Sequence, residues 1–220
     1  MRLTLDHLVV ATRTLAEGVA WCEATFGLRP EAGGQHAIMG THNRVFTIAS
    51  NAFPRAYVEI IAIDPSLPAP GRARWFDLDD AGLQRALAGG PKLVHWVARC
   101  DDIAAACAEM GAAGLDVGEP RTAERGTLRW QISLRADGHR QLGGAAPALI
   151  EWHGAHPGDA LPASGVVLES MCVGGWPDAP AVWLPATIAN DSSPGAAPIS
   201  VRLSGPRGSV TLDPIRSPGA

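Results

Sequence analysis

The chain lacks paired cysteines. Its four, Cys22, Cys100, Cys107 and Cys172, lie far apart with no Cys-x-x-Cys pair. That spacing excludes a disulfide framework and a cysteine-built zinc module, and it implies free thiols in a reducing cytoplasm. Runs of Lys or Arg are also missing, and the formal net charge is -4 with a pI near 5.9. A surface built to attract nucleic acid or an anionic membrane is therefore not expected. No apolar stretch approaches the roughly 20 residues that cross a bilayer, and the opening "MRLTLDHLVV" is too short and too acidic for a signal peptide. The expected partner is a small molecule, with a cytoplasmic location. What the chain does have is apolar content, 46% of 220 residues, enough for one sizeable domain or for two small modules sharing a core.

The pattern along the chain repeats. "LTLDHLVVA" (3–11) reads as a strand, and "TLAEGVAWCEATFG" (14–27) as a helix with Leu15, Val19, Cys22 and Phe26 at helical spacing. Thr14 and Glu17 suit a capping box, and Gly27 a C-terminal cap. After the Gly-rich "EAGGQHAIMGTHN" come two strand candidates, "RVFTIAS" (44–50) and "YVEIIAI" (57–63). A Pro-rich link and a short helix, "AGLQRALAGG", lead to the strand "KLVHWVARC" (92–100), the helix "DDIAAACAEMGAAG" (101–114), and strands at "LDVGEP", "LRWQISL" (128–134) and "ALIEWH" (148–153). The order strand, helix, several strands thus occurs twice. The expected division is a first module over 1–63, a linker over 64–91, a second module over 92–154, and a β extension over 155–220 carrying a strand at 165–173 and a hairpin at 199–213.

Four polar residues stand in otherwise apolar strands. Aligning the first strands sets His7 opposite His95 and Glu59 opposite Glu151, with separations of 52 and 56 residues. By strict alternation His7 shares a face with Leu3, Leu5, Val9 and Ala11, and Glu59 with Tyr57, Ile61 and Ile63. An ionised Glu on such a face must be neutral, paired or bound to a cation. Two imidazoles and two carboxylates can ligate one divalent ion and leave positions for a chelating substrate.

"DHLVVA", "GGQHAIMGTHNRVF" and "YVEIIA" resemble the glyoxalase-like branch of the vicinal oxygen chelate superfamily over about residues 3–63; the second module matches more by pattern. The resemblance implies an α+β fold in which paired βαβββ modules form half-open β cups around a metal, here with a small C-terminal β appendage. It implies ligands on the first and last strands of each module, at His7, Glu59, His95 and Glu151, for Zn, Ni, Mn, Co or Fe. The implied function is a divalent-metal-dependent lyase or isomerase that stabilises an enediolate of a small oxygenated substrate. Glu151 is the first candidate for the base and Glu59 the second. Two alternatives share the cup: an iron(II) ring-cleaving dioxygenase, and a metal-free binding protein of the resistance type.

His42, Asn43 and Arg44 precede a strand and are expected to contact substrate, with His36 a weaker candidate. The sequence has no convincing cluster of basic residues for the carboxylates of glutathione, to which Arg13, Arg44 and Arg99 are the candidate contributors. His153 falls on the face of Glu151 and suits a supporting role beside it. Trp96 and Trp152 are expected under the helices, and His139 and His156 in exposed loops. The two modules can pair within a chain or across a homodimer.

Overall fold

The structure, a computed structural model, describes residues 3–176 and 184–212. The first unit runs β1 (Thr4–Ala11), α1 (Leu15–Phe26), β2 (Glu31–His36), β3 (Thr41–Thr47) and β4 (Tyr57–Ile63). The second runs β5 (Lys92–Arg99), α3 (Ile103–Ala112), β6 (Glu119–Arg125), β7 (Leu128–Leu134) and β8 (Ala148–Trp152), with α2 (Ala81–Leu87) between the units. Their strands form one sheet in the order β2-β3-β4-β1-β5-β8-β7-β6, and β1 pairs antiparallel with β5. The second half of this order is the first in reverse, so the two modules join within a single chain through their opening strands. The result is a mixed sheet curled into a half-barrel.

The strands are apolar on both faces because both faces are covered. On the convex side Leu8, Val10, Val58, Ile60 and Trp96 pack with Cys22 and Phe26 of α1 and with Ile103, Ala106 and Met110 of α3. On the concave side Val9, Ala11, Ile61, Val97 and Ile150 form a second core. Trp96 lies on the helix side, its indole donating to the Ala145 carbonyl at 2.8 Å. The caps differ slightly from the sequence pattern. Thr14 accepts from the Glu17 amide, but the Glu17 carboxylate turns to Arg13 instead of returning to the cap. Asp102 caps α3.

Two bulges break the alternation of the central pair. The β1–β5 register skips Asp6 between Leu5 and His7, and Val94 between Leu93 and His95. Leu3 and Leu5 therefore belong to the convex core, not to the face of His7, because one inserted residue reverses the side-chain phase. The bulges fall at matching positions of the two repeats, immediately before each histidine.

The C-terminal part builds a second sheet in the order β10-β9-β11-β12, from β9 (Val167–Gly174), β10 (Ile188–Asp191), β11 (Ile199–Gly205) and β12 (Gly208–Leu212). Its inward residues Leu168, Met171, Val201 and Leu203 join the convex core. Residues 177–183 and 213–220 lie outside the described part. Among the described residues no helix is long and apolar enough to cross a membrane.

Candidate functional site

The concave face carries a pocket of about 480 Å³ whose polar lining is His7, His36, Asn43, Tyr57 and Glu59 from the first module and Arg125 from the second. His7 reaches it because the bulge turns two successive residues, Asp6 and His7, away from the convex core. The His7 Nδ1 lies 2.7 Å from Asp6 Oδ1. A carboxylate only accepts, so Nδ1 carries a ring proton, and Nε2 faces Glu59 Oε2 at 3.6 Å. The Tyr57 ring stacks on His7 with centroids 4.7 Å apart. Burial, helped by the charges of Asp6 and Glu59, holds the Tyr57 hydroxyl well above its ordinary value, so it stays protonated.

Asp6 is wholly buried and was not singled out in the sequence. Besides His7 it meets His156 Nε2 at 2.9 Å, accepts from the Trp152 indole at 3.0 Å, and lies 3.8 Å from Arg99. Burial pushes its carboxyl upward, but the hydrogen bonds with His156 and His7 outweigh that and hold it below the usual carboxylate range. His156, expected in an exposed loop, is 2% exposed for this reason.

Asn43 fixes the other side of Glu59. Its amide donates to Glu59 Oε1 at 2.6 Å, and its carbonyl oxygen accepts from the Gly34 amide at 2.7 Å. The Gly-rich passage that reads as a loop is in fact β2, bulged at Gly33–Gly34. A Cβ on Gly33 would stand 1.9 Å from Asn43 Oδ1, so only glycine leaves room for the amide. His36 completes the wall: its Nδ1 is 3.0 Å from Thr41 Oγ1, its Nε2 3.4 Å from the Asn43 amide nitrogen, and burial lowers its pKa.

The remaining sequence candidates are placed elsewhere. Glu151 points to the convex side, where its carboxylate accepts from the Ile103 amide at the start of α3 at 2.9 Å. The register gives the reason. Val9, two residues after His7, lies opposite Glu59, whereas Val97, two residues after His95, lies opposite Ala148. Ala148 thus occupies the place of Glu59 in the second module, and Glu151, three positions on, falls on the opposite face. We expect Glu151→Ala to cost about 0.5–2 kcal/mol of stability through loss of this helix-end contact, measured by urea unfolding. His153 follows Glu151, half-exposed, at 3.7 Å. His42 and Arg44 alternate with Asn43 and leave the pocket: His42 pairs with Asp64 at 3.3 Å, and Arg44 lines a groove beside α1. Trp152 faces the cup, its ring 5.3 Å from that of Trp130, against the expectation that it packs under the helices.

His95 lies on the concave side but behind an aromatic partition. The segment between the modules folds inward, and its 3₁₀ turn (Trp75–Asp77) sets Trp75 5.1 Å from the His36 ring and Phe76 5.0 Å from the His95 ring. Phe76 and Asp77 hold positive φ of 60° and 59°. Ion pairs from Asp77 to Arg140 and His139 pin that unfavourable conformation. Trp75 and Phe76 border both the pocket described and a second one of about 380 Å³ that contains His95. The His95 Nε2 accepts from the Ala148 amide at 3.0 Å, which occupies its lone pair.

The metal set implied by the sequence is therefore not assembled. Glu151 is on the other face and His95 is engaged with backbone. Among the described residues no three His, Cys, Asp or Glu side chains are arranged to hold a metal ion. His7, His36 and Glu59 come closest, yet the His36 Nε2 lies against the Asn43 amide, which also donates to Glu59.

Two βαβββ units joined through their first strands, with a polar pocket on the concave face of the curled sheet, define a vicinal oxygen chelate protein. The chain belongs to the family of glyoxalase-like domains, whose match spans residues 5–188. A hypothetical protein from Staphylococcus aureus shares the fold at 18% identity and a TM-score of 0.53, covering 79% of this chain and 70% of that one. Methylmalonyl-CoA epimerase from Mycobacterium tuberculosis is a more distant neighbour, 19% identical with a TM-score of 0.40 over 69% of this chain and 88% of the other. A variant of the Streptomyces coelicolor epimerase, solved with 2-nitronate-propionyl-CoA, gives 18% and 0.42 over 70% and 98%. At these identities the likeness concerns the fold alone. No curated protein matches the chain.

Proposed function

We propose that the protein is a lyase or isomerase of the glyoxalase-like kind that moves a proton at a carbon beside an oxygenated group of a small substrate. One observation carries this reading: His7, its Nδ1 tied to buried Asp6, presents Nε2 to the pocket 3.6 Å from the Glu59 carboxylate. An imidazole oriented by a carboxylate is a general base whose protonated form that carboxylate stabilises. Glu59, held by Asn43, is the second proton carrier. Both act from the same wall, so a proton taken and returned stays on one face of the substrate. A divalent ion in such a pocket would polarise the substrate oxygens; His7 and Glu59 are the residues that could share it, but the four-residue set expected from the sequence does not converge on one point.

The test is hydrogen–deuterium exchange at carbon, followed by proton NMR in heavy water, over small 2-oxo and 2-hydroxy acids and their amides. The wild-type protein should exchange at least one of them, and His7→Asn should lower the rate about 10²–10⁴-fold. Undiminished exchange in His7→Asn removes the imidazole from the chemistry. Compounds that bind without exchanging would make the pocket that of a binding protein.

A further inference from the structure

Arg125, at the end of β6, lies on the strand farthest from β2 in the sheet order. The curl of the sheet brings these two edges together over the pocket. The Arg125 side chain lies across Gly34 of β2, where a Cβ would stand 2.3 Å from its Cδ, and its guanidinium is 3.5 Å from Asn43 Oδ1. No other Lys or Arg lines the pocket. Among the described residues Arg125 has no acidic partner, although the carboxylates nearest to it on its own strand are taken: Glu119 by Arg121, Glu124 by Arg129. The Arg125 guanidinium carries five donors and makes one long hydrogen bond within the chain, so donors remain for a ligand that enters the pocket.

We infer that Arg125 is the anchor for a carboxylate on the substrate, so that the pocket takes small carboxylic acids. The inference rests on the pocket being the substrate site. A guanidinium matches a carboxylate through two parallel N–H···O bonds, and Trp75, Trp130 and Trp152 line the same pocket. The spacing also suits the chemistry. One amide separates Arg125 from Glu59, since Asn43 meets the first through its oxygen and the second through its nitrogen. A carboxylate on Arg125 therefore sets the neighbouring carbon toward Glu59 and His7. The anchor comes from the second module and the proton carriers from the first, which makes the paired arrangement necessary for the site.

Calorimetric titration of the intact protein tests this with propionate, pyruvate, lactate and malonate, their amides, and inorganic phosphate as probes. The acids should bind at least about tenfold more tightly than the amides. Arg125→Gln should abolish that preference, and Arg125→Lys should keep only part of it. Thermal melts of both variants establish that they are folded, and Arg125→Lys serves if the glutamine variant is not. Equal binding of acids and amides, a preference that survives Arg125→Gln, binding of neither class, or phosphate binding more tightly than the acids would each overturn the assignment. Acids that bind through Arg125 but exchange no carbon-bound hydrogen would overturn the acid–base reading instead, so the two failures are told apart.

Discussion

Asp6→Ala should be the most damaging single substitution in the concave wall, lowering stability by about 3–5 kcal/mol. For a chain of this size that is a fall in Tm of roughly 6–20 °C. The carboxylate is wholly buried and receives His7, His156 and the Trp152 indole, with Arg99 close by. Removing it leaves three polar groups without their acceptor and a cation without a counter-charge, and each such loss costs more than the bond contributed when made. The pH dependence has a definite sign. A carboxyl held below its unfolded value of 3.8 stabilises the fold fully above that value and loses the contribution only as pH falls through the lower, folded one. The wild type and Asp6→Ala should therefore differ by a constant amount on the Asp6 account from pH 5 to 7 and converge in stronger acid. Urea unfolding at several pH values measures both features, and a difference below about 1 kcal/mol at pH 7 would mean that the network rearranges around the loss. Exchange activity should fall as well, because His7 loses the group that fixes its tautomer.

The strands that matter to the fold were legible because burial on two faces writes long apolar words such as "HLVVA" and "YVEIIAI". The doubled order of elements was legible for the same reason. Strand β2 was not, since "EAGGQH" contains two glycines and no β-branched residue, and its place is set by pairing with β3 and by the room Asn43 needs. His7 and Glu59 stood out as polar residues in apolar strands, and they do share a wall. Asp6 did not stand out, because alternation assigns neighbours to opposite faces and a bulge leaves no mark in the residues themselves. Glu151 stands at a spacing like that of Glu59, but the pairing with β5 decides the face, and an odd slip reverses it. Trp75 and Phe76 were hidden in a Pro-rich stretch that reads as a connection. Arg125 was hidden because its partners lie on the far edge of the same sheet, and only the curl brings them near.

The two histidines show how one position acquires two chemistries. His7 follows Asp6 and faces Glu59; His95 follows Val94 and finds Ala148 in the matching place. Without a carboxylate beside it, burial dominates, and with the nearby charge of Arg140 it lowers the His95 pKa from 6.5 to about 3. Protonation would also break the bond that Nε2 accepts from the Ala148 amide. A folded value below the unfolded one means that the unfolded chain takes up the proton first as the solution is acidified. Stability should then decline from pH 6.5 downward, by up to about 1.4 kcal/mol per pH unit for this group, and the decline should level off near pH 3. His36, shifted the same way by burial, adds to the slope. In His95→Gln an amide oxygen can still accept from Ala148 but takes up no proton. Between pH 6.5 and 4.5 this variant should therefore lose roughly 2–3 kcal/mol less than the wild type does, read from urea midpoints at matched ionic strength. Equal slopes in the two proteins would mean that His95 is protonated in the folded state over this range, which requires the Phe76 partition to open and admit water to the ring.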